Sequence, residues 1–152
     1  MTIETLNCIL LVDDDTQDAE LTLTALTGHS ISNEVVVARD GVEALDYLYR
    51  RGKFTGRATD DPTVILLDLK MPKLDGVQVL QQIKSDEHLR HIPVVMLTSS
   101  REAHDLDECY KLGANAYVVK PVHFAEFIEA VGRAGVFWAL VNEQPPSRQR
   151  KV

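Results

Sequence analysis

Cysteine is nearly absent: the 152-residue chain has two, Cys8 and Cys109. Two are too few for a disulfide framework, and neither is read as half of a disulfide or of a metal pair. Cys8 opens the first strand-like run and Cys109 lies in a helical stretch, so both read as small buried hydrophobes. Long apolar runs are also missing. None approaches the roughly 20 residues that span a bilayer, which argues against a membrane partner. The start, Met1-Thr2-Ile3-Glu4, has neither the basic residues nor the apolar run of a secretory leader, so a cytoplasmic location is expected. Positive charge is scarce as well, with 16 Lys and Arg against 23 Asp and Glu. A net charge of −7 argues against nucleic acid as a direct partner. The basic cluster at 148–151 follows Pro145-Pro146 and reads as a solvated tail.

What the chain does have is alternation. Apolar, β-rich runs recur at residues 8–12, 34–38, 64–67, 94–97 and 116–119, separated by segments of helical spacing. Ala19, Leu23 and Leu26 follow the first, with Gly28 as a helix stop. Val42, Leu45 and Tyr49 follow the second behind an Asp40 cap. Val77, Leu80 and Ile83 come next, then Ala103, Leu106 and Tyr110 closing at Gly113, then Phe124, Phe127, Ile128 and Val131. Five strands alternating with five helices predict an α/β fold, a doubly wound five-stranded parallel sheet covered on both faces. Residues 51–62 carry no periodicity and read as a long surface loop, either functional or an insertion of no consequence.

The strand ends carry the chemistry. The first runs into Asp13-Asp14-Asp15, the third into Asp68, the fourth into Thr98-Ser99-Ser100 and the fifth into Lys120-Pro121. In an open parallel sheet these ends share one edge, where such folds place their sites. Carboxylates a few ångströms apart repel one another, and a divalent cation relieves the conflict. With only oxygen donors present, Mg²⁺ is favoured. Beside such an ion a carboxylate can attack a phosphoryl group. That reading makes Asp68 the nucleophile, Asp13 and Asp14 the metal site, Lys120 the counter-ion and Thr98 a hydroxyl that meets a phosphoryl oxygen. Asp15 is expected to be no more than a helix N-cap. Asp75-Gly76 reads as a turn and helix start, and His88 and His91 as solvated residues.

The motifs Val12-Asp13-Asp14, Leu67-Asp68 with Met71-Pro72 and Asp75-Gly76, Leu97-Thr98, and Gly113-Ala114 leading to Tyr117-Val118-Val119-Lys120-Pro121 resemble the receiver domain of two-component response regulators (CheY-like). The resemblance implies a flavodoxin-like strand order 2-1-3-4-5. It divides the chain into an N-terminal extension at 1–7, a receiver domain with an extended final helix at 8–141, and a tail at 142–152. It further implies that Asp68 is phosphorylated from a phosphohistidine of a sensor kinase. Asp14, Asp68 and the backbone carbonyl of Lys70 would bind Mg²⁺, with Asp13 acting through water. Thr98 and Tyr117 would form a switch pair, and Lys120-Pro121 a cis-peptide turn. Such a protein is not an enzyme with turnover; it catalyses only its own Mg²⁺-dependent phosphorylation and dephosphorylation. The loop at 51–62, Lys120-Pro121-Val122 and Phe137-Trp138 look like the single-domain response regulators paired with phytochrome-type histidine kinases. Output would then pass through protein contacts to a downstream target that the sequence does not name. Phe137 and Trp138 are candidate interface residues for a homodimer.

Two other classes compete. A haloacid-dehalogenase-type phosphatase also uses a strand-end Asp, Mg²⁺, a hydroxyl and a Lys; it would make Asp13 the nucleophile, but Gln17 departs from its motif. A phosphorylation-independent interaction module of receiver shape is the other, and the complete acid, hydroxyl and lysine set argues against it.

Overall fold

The computed structural model describes residues 8–27, 34–57, 61–99 and 103–133. Strands β1 (Cys8–Val12), β2 (Glu34–Ala38), β3 (Val64–Asp68), β4 (Val94–Thr98) and β5 (Ala116–Val119) alternate with helices α1 (Thr16–Thr27), α2 (Gly41–Tyr49), α3 (Gly76–Ser85), α4 (Ala103–Lys111) and α5 (Phe124–Arg133). The strands form one sheet in the order β2-β1-β3-β4-β5, every pairing parallel. Parallel neighbours require crossovers, and the helices between strands supply them.

The alternation of side chains along the central strands sorts the core into two layers. Leu10, Val12, Ile65, Leu67, Val94 and Met96 pack with α2 and α3 on one face, and Ile9, Leu11, Val64, Leu66, Val95 and Leu97 pack with α1 and α5 on the other. All five residues of β1, β3 and β4 are buried. Each fully buried Leu or Ile contributes on the order of 2 kcal/mol, so the sheet centre is the most strongly held part of the molecule. It is the frame on which the strand ends are displayed.

The expected facing holds in α1, α3 and α5, where Ala19, Leu26, Leu80, Ile83, Phe127 and Val131 are buried, and differs in part in α2 and α4. In α2 the buried residues are Gly41, Ala44, Tyr47 and Leu48, while Val42 is 49% exposed. The helix is apolar at six of its nine positions, not counting Gly41, so two adjacent stripes fit the same spacing; of the expected one, Leu45 and Tyr49 pack partly against the core and Val42 does not. In α4, among the residues whose side chains are described, Cys109 is buried and Tyr110 is 44% exposed. Asp40 caps α2, as expected, by accepting a hydrogen bond from the Glu43 N–H at 2.7 Å.

The segment from 51 is more ordered than a bare loop. Gly52–Phe54 forms a 3-10 turn, and Phe54 meets Tyr47 edge-on at 5.0 Å. The Arg57 guanidinium lies 4.1 Å from the centre of the Tyr47 ring, and its Nε donates to the Tyr47 carbonyl at 2.7 Å. The segment thus seals the outer edge of the α2 core. Gly28, Ser100, Phe137 and Trp138, and with them the expected extension of the final helix, lie outside the described residues.

Candidate functional site

Four strand ends converge because the register aligns them. Val12 pairs with Leu67, Asp68 with Leu97, and Thr98 with Val119. The residues that follow Val12 and Val119 therefore emerge beside Asp68 and Thr98. Backbone bonds extend this alignment past the strands: Asp13 N–H donates to the Ala38 carbonyl at 3.0 Å, Leu69 N–H to that of Leu97 at 2.9 Å, and Lys120 N–H to that of Thr98 at 2.8 Å. The Lys120-Pro121 bond is cis, as expected.

The acids are drawn together. Carboxylate oxygens of Asp13, Asp14 and Asp68 lie within 4.8 Å of one another, Asp13 and Asp68 buried and Asp14 exposed. Lys120 enters this cluster from β5, its Nζ 3.0 Å from Asp13 Oδ2 and 3.2 Å from Asp68 Oδ1. Asp13 is fixed on both sides, since its Oδ1 accepts from the Asp15 N–H at 3.0 Å. Asp15 itself caps α1, accepting from the Asp18 N–H at 3.0 Å, which is the role expected of it.

Burial decides the electrostatics of Asp68. Desolvation raises its carboxyl to about 7, helped by the charges of Asp13 and Asp14 and opposed by Lys120. For Lys120, burial pushes down, but the hydrogen bond to Asp13 and the charges of Asp68 and Asp13 overcome it, so the ammonium is held above its ordinary value. Three carboxylates with one ammonium leave a net negative pocket of oxygen donors. These donors suit a hard divalent cation, and the geometry offers one oxygen from each acid.

Other expected residues are placed as follows. Thr98 ends β4 and is 1% exposed, deeper than a rim position. Tyr117 sits mid-strand in β5, half-buried, its ring edge-on to Tyr110 at 5.9 Å. Lys70 is exposed in the loop after β3, and its ammonium lies 3.9 Å from Asp105 on α4. His88 and His91 are exposed, as expected.

Two features escaped the sequence reading. Asp18, on the first turn of α1, places its carboxylate 3.1 Å from Lys120 Nζ; an acid there looks like any favourable partner of a helix N-terminus. Gly76 is more than a helix start. A β-carbon at this position would stand 2.2 Å from the Asp68 carbonyl oxygen and 2.8 Å from Leu69 Cα. The helix start therefore abuts the backbone of the strand end at Asp68, and the capping box of Asp75 with Gln78 holds it there. An open cleft lined by Asp18, Leu21, Thr22, Ser99, Pro121 and Val122 reaches Lys120 from solvent.

Known proteins resemble this chain in sequence and fold. A family model described as "Response regulator receiver domain" matches residues 9–132. Among curated proteins, the "Probable methanogenesis regulatory protein FilR2" of Methanothrix harundinacea is 40% identical over 137 residues, covering 90% of this chain and 86% of its own. "Response regulator Rcp1" of Synechocystis is 36% identical over 130 residues, covering 86% and 87%. Among solved structures, the bacteriophytochrome response regulator AtBRR is 62% identical with a TM-score of 0.83, covering 91% of this chain and 99% of that one. The Mn²⁺-bound form of response regulator Rcp1 is 34% identical with a TM-score of 0.72, covering 91% and 99%. With a match over most of its length and the same fold in its neighbours, this chain belongs to the response regulator receiver domain family.

Proposed function

We propose that Asp68 accepts a phosphoryl group from the phosphohistidine of a sensor kinase of the phytochrome type, and that the chain signals through protein contacts. The observation that carries this reading is the buried Asp68 carboxylate at a strand end, flanked by two acids and an ammonium 3.2 Å away. The phytochrome pathway rests on the likeness to the bacteriophytochrome response regulator AtBRR. An Asp68 oxygen forms the bond to phosphorus as the phosphorus–nitrogen bond to the donor imidazole breaks, the nitrogen keeping the electron pair. Lys120 neutralises charge on the transferring group, and the Thr98 hydroxyl meets one of its oxygens. Asp14, Asp68 and the Lys70 carbonyl would hold Mg²⁺, with Asp13 acting through water; the ion supplies charge neutralisation for the incoming phosphate. Thr98 and Tyr117 then act as the switch pair. The chain turns over no external substrate and works in the cytoplasm.

The phosphatase reading requires Asp13 as nucleophile. That carboxylate is fully buried, with one oxygen on the Asp15 N–H and the other on Lys120. A homodimer through the face of α4, β5 and α5, where Tyr110 is exposed beside Tyr117, is the finer proposal for its assembly. It would show in sedimentation as a dimer, whereas a monomer before and after phosphorylation refutes it. The test of the main reading is mass spectrometry after acetyl phosphate treatment. One phosphoryl group on wild type, none on Asp68→Asn and none with excess EDTA is the expected result. Full labelling of Asp68→Asn overturns it.

A further inference from the structure

Lys120 is shared by three carboxylates, two of them buried and one at the surface. Its Nζ lies 3.0 Å from Asp13, 3.2 Å from Asp68 and 3.1 Å from Asp18. The Asp13 side chain is 0% exposed and that of Asp68 8%, so these two grip the ammonium from within the sheet edge. The Asp18 side chain is 41% exposed and reaches the same ammonium from the first turn of α1, at the mouth of the cleft. The cap fixes this turn, since the Asp18 N–H is bound to the Asp15 carboxylate.

A phosphoryl group on Asp68 needs the same ammonium and adds negative charge next to Asp18. Like charges brought close disfavour one another, and a cation already engaged by one anion is less available to the next. We propose that Asp18 is a positioning residue that retains Lys120 in the resting arrangement and lowers the affinity of the site for a phosphoryl group. It thereby sets how readily the switch is thrown. Asp18 makes and breaks no bond; the transfer remains from donor to Asp68. The inference rests on Asp68 being the phosphoacceptor.

The test uses fluoroberyllate, a phosphoryl mimic, titrated calorimetrically into the full chain with Mg²⁺ in excess. Because the pair is partly exposed, Asp18→Asn should tighten binding by only about two- to fivefold at low salt. The gain should shrink towards nothing at about 0.5 M salt, where charges are screened, and Asp18→Glu should restore wild-type affinity. Acetyl phosphate should label Asp18→Asn faster by a similar factor. A purely structural role would not produce this salt dependence or rescue. Equal or weaker binding by Asp18→Asn, or a gain indifferent to salt, overturns the inference while leaving the phosphoacceptor reading intact. If wild type binds no fluoroberyllate, both fall; Asp68→Asn, expected to bind none, is the control.

Discussion

Replacing Asp68 by asparagine should make the folded protein more stable when no metal is present. The carboxyl ordinarily titrates at 3.8 and in the fold is raised to about 7, chiefly by burial. Between these values the folded state binds more protons than the unfolded state, so stability falls as pH rises from about 4 to 7 and stays low above. A displacement of about three pH values corresponds to roughly 4 kcal/mol as an upper bound. Water reaches the cluster through the exposed Asp14 and the cleft at Lys120, and screening reduces the effect to about 2 kcal/mol. Asparagine keeps the shape and removes the charge, and Lys120 retains Asp13 and Asp18. For a chain of this size that is about 6 °C in melting temperature. Thermal unfolding of both proteins in EDTA is the assay. At pH 8 the variant should melt higher by that amount. At pH 4 the gap should fall to about 1 °C, because the wild-type carboxyl is by then mostly protonated in the fold. Excess Mg²⁺ at pH 8 should raise the wild type and narrow the gap. A variant that melts lower than wild type at pH 8, or a gap that is the same at both pH values, refutes the reasoning.

Gly76→Ala should cost about 2–3 kcal/mol in chemical denaturation, because its β-carbon meets backbone of Asp68 and Leu69 that cannot move aside cheaply; a loss below about 1 kcal/mol would mean the strand end yields easily. Asp75→Ala removes the capping box of α3 and should cost about 1 kcal/mol, read from the same denaturation curves; an unchanged midpoint would show that tertiary packing alone positions this helix. Thr98→Ala should uncouple Tyr117 from phosphorylation while Thr98→Ser preserves the coupling, followed by NMR of the tyrosine ring with and without acetyl phosphate. Equal ring responses in the two variants would remove Thr98 from the switch.

The strands were readable almost to the residue, because a β-rich apolar run that is buried on both faces leaves little ambiguity in composition. Asp68 and Thr98 were read as following their strands, whereas both are the final strand residue. The acids and the lysine could be found because each directly follows or ends such a run, and parallel order then places those ends on one edge. Helix facing was harder to read. Where apolar residues crowd a short helix, as in α2, periodicity permits more than one inward stripe, and both Tyr47, buried, and Tyr49, partly buried, meet the core. Asp18 was invisible for a different reason. Its role depends on Lys120, 102 positions away, and no local spacing signals a contact between a helix's first turn and the end of a distant strand. Arg57 was hidden likewise, since a residue in an aperiodic stretch gives no hint that its guanidinium will sit over an aromatic ring.

The sheet order also has a consequence for a chain still being made. The acids stand at the ends of the first and third strands, whereas their ammonium stands at the end of the fifth, at the far edge. Lys120 comes 52 positions after Asp68 (120 − 68), a delay of roughly 3 to 10 seconds at ordinary rates of synthesis. Until then, a partly emerged chain carries the carboxylates without the cation they are built around. On the proposed reading, in which Lys120 neutralises the transferring group, the site is complete only when β5 has docked.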